Sequence, residues 1–372
     1  MKILEICPFS AGICGVWTRA LSECQEFVKL GHNVTVFSSN LIKGTDETAK
    51  FNEEICKIKV MRFNSNQGIF DKFLSKNVTY FNFEKELKRL INDKQIDLVI
   101  THLLHPHSFN ALNICLKNKI PCYLVTHAPF NVKRRFPLNL ATNLYSTLIK
   151  QKIKKFTKII AITQWEYPFL RKLGIKDDKI TYIPNGIPEE FFTKKINLPT
   201  KGNDILFLGR IASVKSLETL LDAAKLLPQL SFSIVGSSEQ DYLNKLDALI
   251  KKNKLTNVTI YPPIYGLNEK INLIDAHKVF VLPSNREAMP TVLLEAMARG
   301  KIVISSKTDG GKEIIQDRKN GFLFDIGDYV ALCRIIKENI LGNKIVQTNA
   351  IRDSKQYSWS KLIKHYISLF KK

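Results

Sequence analysis

The chain is short of acidic residues. Its 372 residues carry 56 Lys and Arg against 34 Asp and Glu, a formal charge of +22. Between Leu98 and Trp165 there is no Asp or Glu at all, while Lys117, Lys119, Lys133, Arg134, Arg135, Lys150, Lys152, Lys154, Lys155 and Lys158 fall inside that interval. Charge of one sign implies an anionic surface nearby. No helix-turn-helix, zinc finger or aromatic RNA-binding signature accompanies it, so nucleic acid is not expected as a partner. An anionic membrane surface is the favoured reading, beside the plainer one of a lysine-rich solvated face.

Other absences narrow the field. The seven cysteines (Cys7, Cys14, Cys24, Cys56, Cys115, Cys122 and Cys333) form no Cys-x-x-Cys pair, so neither a disulfide framework nor a zinc site is expected. His102, His105 and His107 have no carboxylate or cysteine in step with them, and no metal is expected there. No apolar run approaches the roughly 18 residues needed to span a bilayer. Met1 to Ile6 is too short and too acidic for a signal peptide, which leads to the expectation of a cytoplasmic protein, peripheral on the inner face of the membrane if the basic surface binds lipid. The first strand-to-helix link, Ser10 to Val16, has Gly12 and Gly15 in a Gly-x-x-Gly pattern. It is neither the dinucleotide fingerprint nor a Walker loop, which removes the main support for nicotinamide or ATP binding.

Short apolar strands alternate with helical stretches along the whole chain, the pattern of parallel sheets built from βα units. The first series comprises Ile3 to Ile6, Val34 to Phe37, Ile58 to Phe63, Leu98 to Thr101, Cys122 to Thr126 and Ile159 to Ile162. A helix from Val16 to Leu30 stops at Gly31. After the turn Asn185-Gly186-Ile187-Pro188 a second series runs through Ile205 to Leu208, Ser233 to Val235, Val258 to Tyr261, Val279 to Leu282, Ile302 to Ser305 and Phe322 to Phe324. The expected architecture is α/β, two doubly wound parallel-sheet domains facing across a cleft. Residues 1–183 form the first domain and 184–354 the second. A final helix (355–372), with Trp359, Leu362, Ile363, Tyr366 and Phe370 on one face behind Ser358, returns to the first domain.

The chemistry-bearing residues gather at expected strand ends. Glu287 sits in the loop leaving one strand and Glu295 on the following helix, which is read as starting with Pro290 at an early position. Backbone N–H groups near Met289 to Thr291 are expected to favour an anion. The first strand of the second domain ends in Gly209-Arg210, with Lys215 just beyond, a pair of cations suited to a diphosphate. Val235-Gly236-Ser237 and Asp309-Gly310-Gly311-Lys312-Glu313 read as loops that let a backbone approach closely. His127 follows an apolar strand where side chains turn toward the expected cleft, and His102 is placed similarly.

These residues resemble the retaining glycosyltransferases of family 4, which have the GT-B fold. The resemblance rests on Asn185-Gly186, Gly209-Arg210 with Lys215, Glu287 to Glu295 running into Ala296-Met297-Ala298, Gly310-Gly311 and Asn320-Gly321-Phe322. The Gly12 to Gly15 loop, the His127 strand and Tyr357-Ser358-Trp359 are similar more loosely. The resemblance implies transfer of a hexose from a nucleoside diphosphate sugar to an acceptor hydroxyl, with retained configuration. The acceptor would be lipid-linked or a growing glycan. No cofactor or metal is implied. Arg210 and Lys215 would hold the diphosphate and stabilise the leaving group, with Gly209 and Gly236 beside them. Glu295 would bind ribose hydroxyls and Glu287 would face the donor sugar. Met289, Pro290 and Thr291 would meet sugar or phosphate, and His127 a hydroxyl of the reacting sugar. The Gly12 to Gly15 loop would cover phosphate or acceptor. The alternatives are a sugar-nucleotide epimerase or phosphorylase of the same fold, or a non-catalytic nucleotide-binding module.

Overall fold

A computed structural model describes residues 1–12, 14–43, 45, 47–65, 81–128, 149–197, 199 and 202–371. The chain divides into two compact units, Met1–Gly186 with Trp359–Lys372, and Ile187–Ser358.

The first unit contains β1 (Lys2–Phe9), β2 (Asn33–Ser39), β3 (Asn52–Ile55), β4 (Ile58–Phe63), β5 (Leu98–His102), β6 (Cys122–Val125), β7 (Lys158–Ala161) and β8 (Ile180–Tyr182). Among the described residues they form one sheet in the order β3-β4-β2-β1-β5-β6-β7-β8. β1, β5 and β6 are buried along nearly their whole length, as expected for parallel strands covered on both faces. β3 is a polar edge strand, antiparallel to β4. Its sequence Asn-Glu-Glu-Ile has no apolar run to mark it, and its charges protect an open edge. The helix Gly15–Lys29 ends where Gly31 takes φ +80°, with the His32 N–H donating to the Phe27 carbonyl at 3.0 Å.

The terminal helix Trp359–Phe370 belongs to the first unit. Tyr366 is fully buried and meets Phe27 edge-on, with ring centroids 5.5 Å apart. Trp359 closes over Gly186, where a Cβ would come within 2.7 Å of the indole. Arg19 lies above the same indole, 5.3 Å from its centroid, and donates to Asn185 Oδ1 at 2.8 Å. The Asn185-Gly186 turn is thereby anchored to the first unit. Ser358, placed as a helix cap in the sequence, donates its hydroxyl to Glu189 Oε2.

The second unit contains β9 (Ile205–Leu208), β10 (Phe232–Val235), β11 (Val258–Tyr261), β12 (Val279–Leu282), β13 (Ile302–Ser306) and β14 (Phe322–Phe324). Among the described residues their order is β11-β10-β9-β12-β13-β14, with the described pairings all parallel. This is the doubly wound order, whose switch point lies between β9 and β12. The stretch Asp309 to Glu313, expected as a loop, is instead a short helix, Asp309–Ile314. Thr308 caps it by accepting from the Gly311 N–H at 3.0 Å. The basic run from Lys133 to Lys158 lies outside the described residues up to position 148.

Candidate active site

Because β9 and β12 are neighbours, the loops leaving them lie side by side. Lys215 closes a single helical turn, Ser213–Lys215, after β9. The Asn285 N–H donates to the Val214 carbonyl at 2.9 Å, which ties the β12 loop to that turn. Glu287 is consequently fixed beside Lys215: its Oε1 accepts from Lys215 Nζ at 2.6 Å and from Ser284 Oγ at 2.5 Å. Gly310 supports Glu287 from behind. Its N–H donates to the Glu287 carbonyl at 3.0 Å, and a Cβ there would fall 2.6 Å from the Ala288 carbonyl oxygen. Only glycine fits so close an approach.

The helix that carries Glu295 is Thr291–Ala298, and Pro290 is its cap residue rather than its first residue. Proline has no N–H, so of the three positions expected to meet an anion only Met289 and Thr291 can donate. Met289 is buried and Thr291 half-buried. Glu295 is buried, and both of its oxygens lie near Lys270 Nζ, at 2.7 and 2.6 Å. Sequence reasoning missed Lys270. It stands on the helix Leu267–Ala276 beside Glu269, and a lone lysine next to an acid reads as an ordinary solvated position.

Arg210 does not join this group. Its guanidinium is exposed and pairs with Glu239 Oε1 at 2.8 Å. The reason lies in the sheet order: β10 flanks β9 on the side away from β12, and the Glu239 N–H donates to the Ile211 carbonyl at 2.9 Å. Gly236 also belongs to that side. A Cβ on it would lie 1.8 Å from the Gly209 carbonyl oxygen, so protein backbone alone accounts for the glycine.

In the first unit, His127 is half-buried directly beyond β6. It and Ala128 adopt left-handed backbone angles, φ 58° and 50°, costing roughly 1 to 2 kcal/mol per residue. Glu166 holds the turn: it accepts from the Thr126 hydroxyl and from the Ala128 N–H at 2.9 Å, while Ile162 and Thr163 N–H groups donate to its other oxygen at 2.8 and 3.0 Å. Burial pushes the Glu166 carboxyl up against the pull of these donors. Thr163 and Glu166 form a capping box, the Ser/Thr-x-x-Glu signature that marks this residue in the sequence.

Behind His127 lies a buried polar array. His102 Nδ1 is 2.9 Å from His127 Nε2, and His102 Nε2 is 2.9 Å from Glu5 Oε2 and 3.4 Å from Glu23 Oε1. Arg19 reaches Glu23 at 3.3 Å, and the Tyr366 hydroxyl donates to Glu23 Oε2 at 2.8 Å. Glu5, Glu23 and His102 are fully buried. Burial, reinforced by Glu23, pushes the Glu5 carboxyl well up, while burial and Arg19 hold His102 well below the usual imidazole range. Burial likewise depresses His127. Glu5 had a visible signal, a carboxylate in the middle of an apolar strand.

Gly12, at φ +79°, bridges to Lys43, whose carbonyl oxygen a Cβ would approach to 2.7 Å. Gly15 begins the helix Gly15–Lys29 and faces open space. Ile13 between them lies outside the described residues.

Two family descriptions match in succession. Glycosyltransferase Family 4 matches residues 13–191, and Glycosyl transferases group 1 matches residues 188–356. A UDP-Gal:alpha-D-GlcNAc-diphosphoundecaprenol alpha-1,3-galactosyltransferase of Escherichia coli is 28% identical over 319 residues, 76% of this chain and 80% of that protein. An N,N'-diacetylbacillosaminyl-diphospho-undecaprenol alpha-1,3-N-acetylgalactosaminyltransferase of Campylobacter jejuni is 24% identical over 262 residues, 65% of this chain and 67% of that protein. Among solved structures, a glycosyltransferase from Rickettsia africae superposes with a TM-score of 0.78 at 21% identity, covering 99% of this chain and 97% of that one. Anabaena HepE in complex with UDP does so with a TM-score of 0.76 at 18% identity, covering all of both chains. At such identities the superpositions establish the GT-B fold alone. Taken with the two family matches, which together run from residue 13 to residue 356, they show that this chain belongs to the group 1, family 4 glycosyltransferases.

Proposed function

We propose that this enzyme transfers a hexose from a uridine diphosphate sugar to a hydroxyl of a diphosphate-lipid-linked saccharide, with retention of configuration and without a metal. The observation that carries the reading is the Lys215–Glu287 pair at the switch point of the second sheet, beside the helix bearing Glu295. A cation fixed at that crevice suits a diphosphate leaving group and supplies the charge stabilisation a divalent ion would otherwise give. Arg210, released from its exposed pair with Glu239, adds a second, forked donor to phosphate. Glu295 accepts from ribose hydroxyls, and Glu287 orients the sugar.

The names of the Escherichia coli and Campylobacter jejuni relatives both record diphosphoundecaprenol-linked acceptors and alpha linkages. Hexoses are alpha-linked in the common UDP-hexose donors, so an alpha product corresponds to retention. The excess of base over acid, 56 against 34, suits an acceptor held at an anionic leaflet. No helix among the described residues is long and apolar enough to cross a membrane, so such association would be peripheral.

The test is a transfer assay with UDP-hexoses and UDP-N-acetylhexosamines, a diphosphoundecaprenol-linked N-acetylhexosamine acceptor and excess EDTA. The expected product is an alpha glycoside by proton NMR. Lys215→Ala and Glu287→Gln should each lower kcat by about a hundredfold or more. A beta product, or turnover that EDTA abolishes and a divalent ion restores, would overturn the mechanism. Absence of transfer from any uridine donor would overturn the substrate class. Sedimentation with anionic liposomes at low and moderate salt reads the membrane contact separately.

A further inference from the structure

The buried array behind His127 has a defined hydrogen-bond polarity. His102 Nε2 is flanked by two carboxyl oxygens, Glu5 Oε2 at 2.9 Å and Glu23 Oε1 at 3.4 Å. A ring nitrogen between two acceptors carries the proton, so the Nδ1 of a neutral His102 is bare. His127 Nε2, 2.9 Å from that Nδ1, must then be the donor. A neutral imidazole with its proton on Nε2 has an open acceptor at Nδ1.

We infer that Glu5 and His102 are positioning residues for transfer: they lock His127 in the Nε2–H tautomer and so present Nδ1 as an acceptor for a hydroxyl proton of the bound sugar. This deepens the transferase reading of His127 and rests on it.

The surroundings support one fixed polarity. Glu5 Oε1 is buried without a hydrogen-bond partner, and Glu23 Oε1 has no partner nearer than His102 Nε2 at 3.4 Å. One oxygen from each carboxyl lies within 4.8 Å of the other and of His102. One proton held on Glu5 Oε1, the oxygen that does not meet His102, leaves Glu5 Oε2 and Glu23 Oε1 as acceptors and the two carboxyls a single negative charge, which Arg19, 3.3 Å from Glu23, balances. The facing groups are Glu5 on β1, Arg19, Glu23 and Cys24 on the helix Gly15–Lys29, His105 and His107 at the start of the helix Pro106–Lys117, and Tyr366 on the terminal helix. Burial first, and neighbouring charge second, keep both His102 and His127 neutral through the physiological range, so each holds one proton to place. The left-handed backbone at His127, clamped through Glu166, fixes the ring's entry to this array. Cys24 and Cys7 are held in the thiol form by burial and add no charge.

The experiment uses the full chain labelled with nitrogen-15 histidine. Long-range proton–nitrogen spectra report the tautomer of each ring directly, and His127 is assigned by loss of its signals in His127→Gln. The expected wild-type pattern is Nε2–H for both His102 and His127 between pH 6.5 and 8. His102→Phe removes the acceptor and should leave His127 in mixed tautomers, with kcat ten- to a hundredfold lower and the donor KM within threefold. His102→Asn keeps an oxygen near the place of Nδ1 and should return kcat to within about fivefold of wild type. A wild-type His127 protonated on Nδ1 would overturn the inference, as would a His102→Phe protein that keeps a pure Nε2–H tautomer. Because the wild-type spectrum needs no substrate, it stands even if the transfer assay fails.

Discussion

Lys270 Nζ lies within hydrogen-bonding distance of both oxygens of Glu295, 2.7 Å from Oε1 and 2.6 Å from Oε2. The carboxylate side chain is 6% exposed and the lysine 27%, so the pair is largely shielded from solvent. Removing one partner leaves a buried charge uncompensated. Lys270→Met should therefore weaken binding of UDP five- to twentyfold by titration calorimetry, with kcat at saturating donor within threefold. Adding Glu295→Gln should recover thermal stability but not affinity. Unchanged UDP affinity in Lys270→Met would remove Lys270 from the donor site.

His107 should make the fold acid-labile. It is fully buried, with Nε2 donating to the His102 carbonyl at 2.9 Å, and burial pulls its imidazole down to about 3. Between that value and the ordinary 6.5 or so, the unfolded chain binds a proton that the folded chain refuses. The contribution is complete above pH 6.5 and is lost on acidification, at up to about 1.4 kcal/mol per pH unit. His107→Gln keeps a donor near the same carbonyl and should flatten the fall between pH 6.5 and 4.5 by one proton. Denaturant unfolding at several pH values measures this directly, and parallel wild-type and variant curves would refute it.

Gly236→Ala should destabilise the second unit rather than merely block a ligand. Its Cβ would sit 1.8 Å from the Gly209 carbonyl oxygen, so the ends of β9 and β10 would have to separate. The expected cost is about 1 to 3 kcal/mol, and UDP affinity should fall because the loop bearing Arg210 starts at the displaced residue. Gly15→Ala serves as the contrast, since its Cβ meets nothing within 4 Å. A wild-type melting temperature for Gly236→Ala would contradict the geometry.

What could be read from the sequence, and what could not, separates along physical lines. Strands buried on both faces, such as β9 and β12, announce themselves as apolar runs, and β4, β11 and β14 also have the limits the pattern suggests. β3 and β8 have no such run: Asn-Glu-Glu-Ile and Ile-Thr-Tyr are short and largely polar, which an edge strand tolerates. Glu287 and Lys215 were legible as a group because strand order brings the loops that bear them together. Arg210 stands apart from that pair because its partner, Glu239, comes from the opposite neighbouring loop, which residue spacing does not reveal. Asp309 to Glu313 reads as a loop from its two glycines, yet Thr308 caps it as a helix and Gly310 serves close packing behind Glu287. The array of Glu5, Glu23, Arg19 and Tyr366 joins β1 and the helix that follows it to the terminal helix, with Tyr366 lying 343 residues beyond Glu23. No local pattern can announce such a set.

The return of residues 359–370 to the first unit has a consequence for synthesis. Ile187–Ser358 is contiguous and can fold as soon as it emerges. The first unit, although it begins the chain, lacks Tyr366 until the whole second unit has been made. At about 5 to 20 residues per second, that interval is on the order of 10 to 30 s. During it Arg19 and Glu23 are without the hydroxyl that bonds both, and Phe27 without the ring that covers it. Order of translation and order of completion are therefore opposite for the two units.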